Sequence, residues 1–529
     1  MSSRLFCNFI VFIFFLLTIY LKTFFLNPEY LKNHPDLKSQ CLDYIFLSGE
    51  YAAIGTTNFY PETISGRRNT APLPLSVETQ HFKIHYTLTG LHAVASLNYA
   101  DSVAFYAELA WQQLITQMRF KAPIPDDTTS GGQNLFDIYL QNIPNQAQGQ
   151  TLADPSLNQG RSTAICYILI QPNLPYINDY QSQGLRAVVQ HEFFHAIQNA
   201  YYGSALAGQT GDAITTSNSI AVREGTATWA QTLITNPIVN YSHLACFMAN
   251  DAHWQQPNQN IWAGQNDSYL YEQASYATVF FWQFLTEHYG SDIIRLFWEK
   301  LAKSSLPDPS QSMAGWEFTA LDSVLQPYGG INTAVGQYWC ALTLLQLRPN
   351  YEVVRQTEPA LTFKDGNKYV LYMPNITTAS PVLLAQSTTT TNKNENPLLY
   401  AIGGAALHEI KGWQAQEKQT LFNLEIPTPN HNLLPSGLQV YFIQYNKRTE
   451  SLKICSVQIK EAIQNQPNLF SFFLPDCAHT SFLSPNDASL AQSQFDKNYL
   501  LLVRTANPDT ALQLGNYALQ YMLYTTVTN

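Results

Sequence analysis

His191, Glu192 and His195 are the residues whose types and spacing point most directly to chemistry. They sit in the segment HEFFH, inside a proline-free run over 185–202 that stops before Gly203. Such a run predicts one helix with a glycine C-cap. Residues four apart on a helix share a face. His191 and His195 can therefore offer two imidazole nitrogens to one ion, with Glu192 starting beside them. This is the His-Glu-x-x-His arrangement, two zinc ligands plus a carboxylate able to take a proton from water at the metal.

A catalytic zinc needs a third protein ligand and one open position. A continuation with Gly and His three and six residues after the second His is excluded, because Gln198 and Tyr201 stand there. Asp212 is a conceivable ligand, but its neighbours QTGDAI match no ligand motif. The third option is a Glu on a separate, following helix. Residues 219–230 read SIAVREGTATWA and supply Glu224. Gly225 and Ala227 carry almost no side chain, so this helix is expected to press close against the first. His243 and His253 are fallback ligands.

With these two segments together, the chain resembles the gluzincin group of zincin metallopeptidases, in which two His and a distal Glu hold zinc. It is similar in particular to poorly characterised secreted bacterial metalloproteases that pair an HEFFHAIQ-type helix with an EGTATW-type helix. The resemblance spans about residues 78–350 and is strongest at the two helices. It implies Zn²⁺ held by His191, His195 and Glu224, with Glu192 as general base in the hydrolysis of protein or peptide substrates. One departure stands out. Thermolysin-like members carry Asp four residues after the distal Glu, as a partner for a ligating imidazole; here that place is Thr228. The stretch 269–289 looks like the gluzincin helix that returns a Tyr toward the metal, where a hydroxyl stabilises the developing oxyanion. Tyr276 is the first candidate and Tyr271 the second.

The elements that must position these residues can be read around them. Residues 81–87 alternate as a strand. Residues 98–120 carry apolar side chains at helical spacing. Strands follow at 135–140 and 164–170, the second a continuous apolar run ended by Pro172. This order fits a zincin upper half, a twisted sheet with one helix behind it and the metal helix below. Residues 163–170 are the expected edge strand, where an extended peptide could be held by main-chain hydrogen bonds. Helical segments at 269–289, 292–303, 318–325 and 334–345 complete a lower half. From 356 onward, short strands alternate with turns, clearest at 438–445, 499–504 and 515–521, and read as a β-sandwich. The expected fold class is α+β. It comprises an export segment (1–26), an irregular N-terminal or pro-segment (27–77), a zincin-like metallopeptidase domain (78–355) and an all-β sandwich accessory domain (356–529).

Composition narrows the setting. Of 529 residues, 46% are hydrophobic and only 12% charged, enough to bury a large core and better suited to an extracytoplasmic protein than a cytosolic one. The net charge of −10 argues against nucleic acid as a partner. Arg4 precedes the apolar run 5–21, an export signal. No small-x-small triplet closes that run, so both a cleaved signal peptide and membrane attachment through residues 5–21 stay open. Seven Cys are present, and Cys7 lies in the export segment. The other six permit three disulfides, with Cys455 and Cys477 the favoured pair because they are close together in the β-rich region. The rival to a peptidase is an exported envelope binding or adhesion protein with a degenerate zincin domain.

Overall fold

The computed structural model describes residues 70–125, 134–143, 148–153, 163, 165–174, 182–202, 218–233, 278–304, 313–347 and 359–363. It also describes 379–383, 394–395, 399–400, 405–411, 420–425, 438–446, 451–459, 469–474, 497–504, 518–519 and 522–527. The apolar run 5–21, Gly203, Asp212, His243, His253, Tyr271, Tyr276 and Cys477 lie outside these residues. The described part is mixed α and β.

Five strands form the first sheet: β1 (Leu75–Glu78), β2 (Phe82–Tyr86), β3 (Phe136–Leu140), β4 (Gly149–Ala153) and β5 (Cys166–Ile170). Their spatial order is β1-β2-β3-β5-β4. Strands β2, β3 and β5 run parallel, and β1 and β4 pair antiparallel at the two edges. Every residue of β3 and β5 is buried, as central strands covered on both faces require. On one face Phe82, Ile84, Ile138, Ile168 and Ile170 join the main core; on the other Tyr139, Tyr167 and Leu169 form a smaller cluster.

Two readings of the sequence need correction here. Strand β1 begins at Leu75, inside the stretch read as irregular. More importantly, 163–170 is not the edge: β5 is flanked by β3 and β4, and the edge strand is β4. The segment GQTLA has little β propensity of its own, and its strand exists through pairing with β5.

Helix α1 (Leu97–Ala110) runs into a π-helical turn at Trp111–Gln117. It is followed by α2 (Ser182–Tyr202), α3 (Asn218–Thr232), α4 (Val279–Tyr289), α5 (Ile293–Lys303), α6 (Met313–Leu325) and α7 (Gly330–Leu347). Residues 187–201 of α2 are buried on every side, which marks it as the central helix. It packs against α1, β4, β5, α3 and α5. By contrast α5 is two-faced: Ile294, Phe297 and Trp298 are buried, while Arg295 donates to Glu299 at 2.6 Å one turn on.

Gly225 serves a different contact from the one expected. A Cβ there would lie 1.8 Å from Thr278 Oγ1 and 2.8 Å from Trp282 Nε1, so the missing side chain admits α4, not α2. The cause is helical geometry. Glu224 faces α2, and the next residue is rotated by about 100°.

The C-terminal strands form two larger sheets. One has the order β12 (Ser451–Val457), β11 (Leu438–Asn446), β14 (Lys497–Arg504), β9 (Ala405–Lys411), β6 (Ala379–Leu383). The other has β13 (Leu469–Phe473), β10 (Thr420–Glu425), β16 (Met522–Val527), β7 (Asn394–Glu395). Alternation along β11 and β14 assigns two faces. Leu438, Val440, Phe442, Leu500 and Leu502 meet Phe422, Leu424 and Phe472 of the second sheet. Ile443, Tyr445, Leu501 and Val503 belong to the same apolar core as the helices. The first of these sheets is thus covered on both faces, and the C-terminal strands share a core with the helical region.

The expected strands 438–445 and 499–504 appear as β11 and β14; of 515–521 the described residues are Ala518–Leu519, which form the two-residue β15. Cys455 is disulfide-bonded. Cys166 and Cys340 are buried and not disulfide-bonded, which lowers the upper limit from three disulfides to two; Cys340 sits inside α7, where burial pushes its thiol pKa up. Among the described residues no helix is long and apolar enough to cross a membrane.

Replacing a mid-helix Gly by Ala normally gains about 1 kcal/mol. At Gly225 the added methyl meets α4, and overpacking costs about 1–3 kcal/mol. Gly225→Ala is therefore expected to lower the thermal unfolding midpoint; a raised midpoint would show that α4 does not pack there.

Candidate metal centre

The central helix places His191 and His195 one turn apart, and α3 crosses it with Glu224 facing the pair. The two Nε2 atoms are 3.0 Å apart, and each lies 3.3 Å from Glu224 Oε2. A tetrahedral ion about 2.0–2.1 Å from each ligand requires ligand edges of about 3.3–3.4 Å. The triangle is close to that size. His191, His195 and Glu224 are the one such group found among the described residues. The imidazoles are buried, while the Glu224 side chain keeps 17% exposure, so the site opens on the Glu224 side.

The far side of each ring decides what the near side can do. His195 Nδ1 donates to Gln198 Oε1 at 2.8 Å, and His191 Nδ1 donates to Gln231 Oε1 at 3.0 Å. The Gln198 amide cannot be turned round. Its Nε2 donates to the carbonyl oxygen of Arg223 at 2.9 Å, a group that only accepts. It also donates to Thr226 Oγ1 at 3.0 Å, and that hydroxyl in turn donates to Val222 O at 2.8 Å. Oε1 must then face His195, so the proton of the neutral ring is on Nδ1 and the Nε2 lone pair points inward. Two imidazole lone pairs and a carboxylate oxygen converge on one spot, and a divalent cation is the group that such a donor set fits.

These glutamines were not recognised as site residues in the sequence. Thr228, which stands where thermolysin-like helices have Asp, is buried with its hydroxyl unpartnered. The imidazole-orienting role falls to Gln231, three residues further along α3. The available signal was spacing alone, Gln198 three residues after His195 and Gln231 seven after Glu224, both on the faces that carry the ligands.

Glu192 points toward the edge strand. Thr151 Oγ1 on β4 lies 2.7 Å from Glu192 Oε2 and 2.8 Å from its main-chain oxygen. Two residues earlier on the same face, a Cβ at Gly149 would sit 2.6 Å from Glu192 Cγ. Glycine inside a strand marks such a close approach, yet β4 itself was missed, and with it this contact. Glu192 is 1% exposed, so its carboxylate is held between α2 and β4. Tyr276 is outside the described residues, but α4 starts against α3 at Gly225, next to Glu224.

The described part is thus a mixed α and β protein in which two buried histidines and one carboxylate form a group that could hold a metal ion. No protein-family model matches the chain, and no curated protein matches it.

Gly149→Ala is expected to destabilise the protein by about 1–3 kcal/mol in urea unfolding. Divalent-metal stoichiometry should stay unchanged, because no ligand touches Gly149. Loss of the metal without loss of stability would mean that β4 supports the ligands and not Glu192.

Proposed function

We propose that this chain is a zinc-dependent metalloendopeptidase, with a zincin-like catalytic region followed by a β-sandwich. The observation that carries the reading is the convergence of His191 Nε2, His195 Nε2 and Glu224 Oε2, with Glu192 next to the first ligand on the same helix. Two imidazoles and one carboxylate form the donor set of a catalytic zinc, whose fourth position such sites leave to water or substrate. When bound, zinc supplies Lewis acidity toward a water and a carbonyl oxygen.

Glu192 is the general base: its carboxylate takes a proton from the attacking water and passes it to the leaving amine. Thr151, by hydrogen-bonding to Oε2, holds that carboxylate in one orientation. The choice of peptide over other hydrolysable substrates rests on β4, which is paired to β5 on one side and, among the described residues, ends the sheet on the other. An extended chain can add to such an edge by main-chain hydrogen bonds, beside Thr151 and Glu192. The two facing C-terminal sheets support the sandwich assignment. Export is supported by the pattern of residues 1–26 and by the disulfide at Cys455, which belongs to an oxidising compartment.

Glu192→Ala should retain about one zinc per chain and lose about 10²–10⁴-fold in peptide turnover. Turnover at the original rate would remove Glu192 as the base. Thr151→Val should lower kcat with zinc affinity intact, and Thr151→Ser should restore it. Equal loss in both variants would assign Thr151 a packing role. Zinc uptake with no cleavage across a peptide library would favour the exported binding protein instead.

A further inference from the structure

We propose that Gln198 is a positioning residue that couples two metal ligands, His195 and Glu224, into one unit. The inference rests on the metal-site reading above and goes beyond it. Gln198 Oε1 accepts from His195 Nδ1 on its own helix. The other end of the same amide donates to the main-chain oxygen of Arg223, the residue before Glu224. One planar, rigid group therefore fixes the rotation of one ligand ring and the position of the backbone that presents the third ligand.

The two ends are not interchangeable. A shift of α3 away from α2 breaks the Arg223 bond and frees the amide to rotate, and the His195 tautomer is then no longer set. Conversely, the amide stays oriented while α3 is in place. Nearby contacts hold the same pair of helices together: Gln190 Nε2 donates to Ala230 O at 2.7 Å, and His191 Nδ1 to Gln231 Oε1. Gln198 touches both a ligand and the peptide unit leading into another. Gln198 is itself 1% exposed, so water does not replace either bond.

The distinguishing variant is Gln198→Glu. A carboxylate is a stronger acceptor than an amide for His195 Nδ1, so a residue that only orients the ring would keep or tighten metal binding when replaced this way. A coupling residue would not, because the second carboxylate oxygen would face the Arg223 carbonyl with no proton between them. Zinc dissociation constants and Co²⁺ visible spectra are measured on the wild-type chain and the variant.

The expected result is a zinc affinity about 10–100-fold weaker in Gln198→Glu. Weakened tetrahedral Co²⁺ bands should accompany it, as Glu224 moves off the ion. Unchanged or tighter zinc binding with an unaltered Co²⁺ spectrum would overturn the proposal. If Gln198→Glu gives no folded protein, a double-mutant cycle of Gln198→Met with Glu224→Gln reads the same point. Coupled residues give non-additive zinc affinities, on the order of tenfold, whereas additivity overturns the coupling. A wild-type chain that binds neither ion overturns the metal-site reading itself, an outcome distinct from a wild type that binds normally and a variant that does so too.

Discussion

Three lone pairs aimed at one buried spot repel one another unless a metal ion or a shared proton lies between them. His191 Nε2, His195 Nε2 and Glu224 Oε2 are within 3.0–3.3 Å of each other, and the Gln198 amide leaves its imidazole no proton on the inward nitrogen. The surrounding structure can be read as what holds these groups against that repulsion. The ligand-bearing part of α2 is enclosed on every side, so neither ring can swing out to water. Helix α3 is held from two directions, by the amides of α2 and by α4 packed against Gly225.

The same arrangement separates two jobs performed by adjacent residues. His191 faces α3, and Glu192, one position on, faces β4. A helix turns by about 100° per residue, so neighbours necessarily address different elements. In the proposed site, metal affinity would rest on the contact between α2 and α3, and the setting of the Glu192 carboxylate on the contact between α2 and β4. The C-terminal sheets contribute at a distance. Their inner strands share the apolar core of the helices, and β14 packs against α7, whose Gln337 accepts from Tyr289 on α4, while His288 reaches Thr362 O in the turn that follows α7. The helix against which Gly225 packs is therefore itself braced from the far side.

What was legible in the sequence follows the range of the interaction. The His191–His195 pair is a local, helical relation, and spacing is enough to read it. Glu224 was reachable because its helix carries a specific string. Strand β5 was visible because a continuous apolar run ended by Pro172 marks a buried strand, and β3 because its residues are apolar or aromatic apart from Asp137. Strand β4 was not, because GQTLA becomes a strand through a partner distant in sequence. Gly225 signalled a close approach but not which helix approaches. Gln198 and Gln231 have ordinary helical propensities, and their roles arise only when α2 and α3 are packed together. The missing Asp at Thr228 was a true signal: it said that the ligand-orienting groups had to be found elsewhere, though not that they are amides.

The most direct measurement is the zinc content of the purified full-length chain, taken together with its zinc X-ray absorption spectrum and a Glu224→Ala control. The expected result is about one zinc per chain, bound by nitrogen and oxygen neighbours at about 2.0–2.1 Å with imidazole scattering from two rings, and lost from the control. Absence of zinc after reconstitution, or an unchanged spectrum and stoichiometry in Glu224→Ala, would contradict the three-ligand centre on which the proposed chemistry depends.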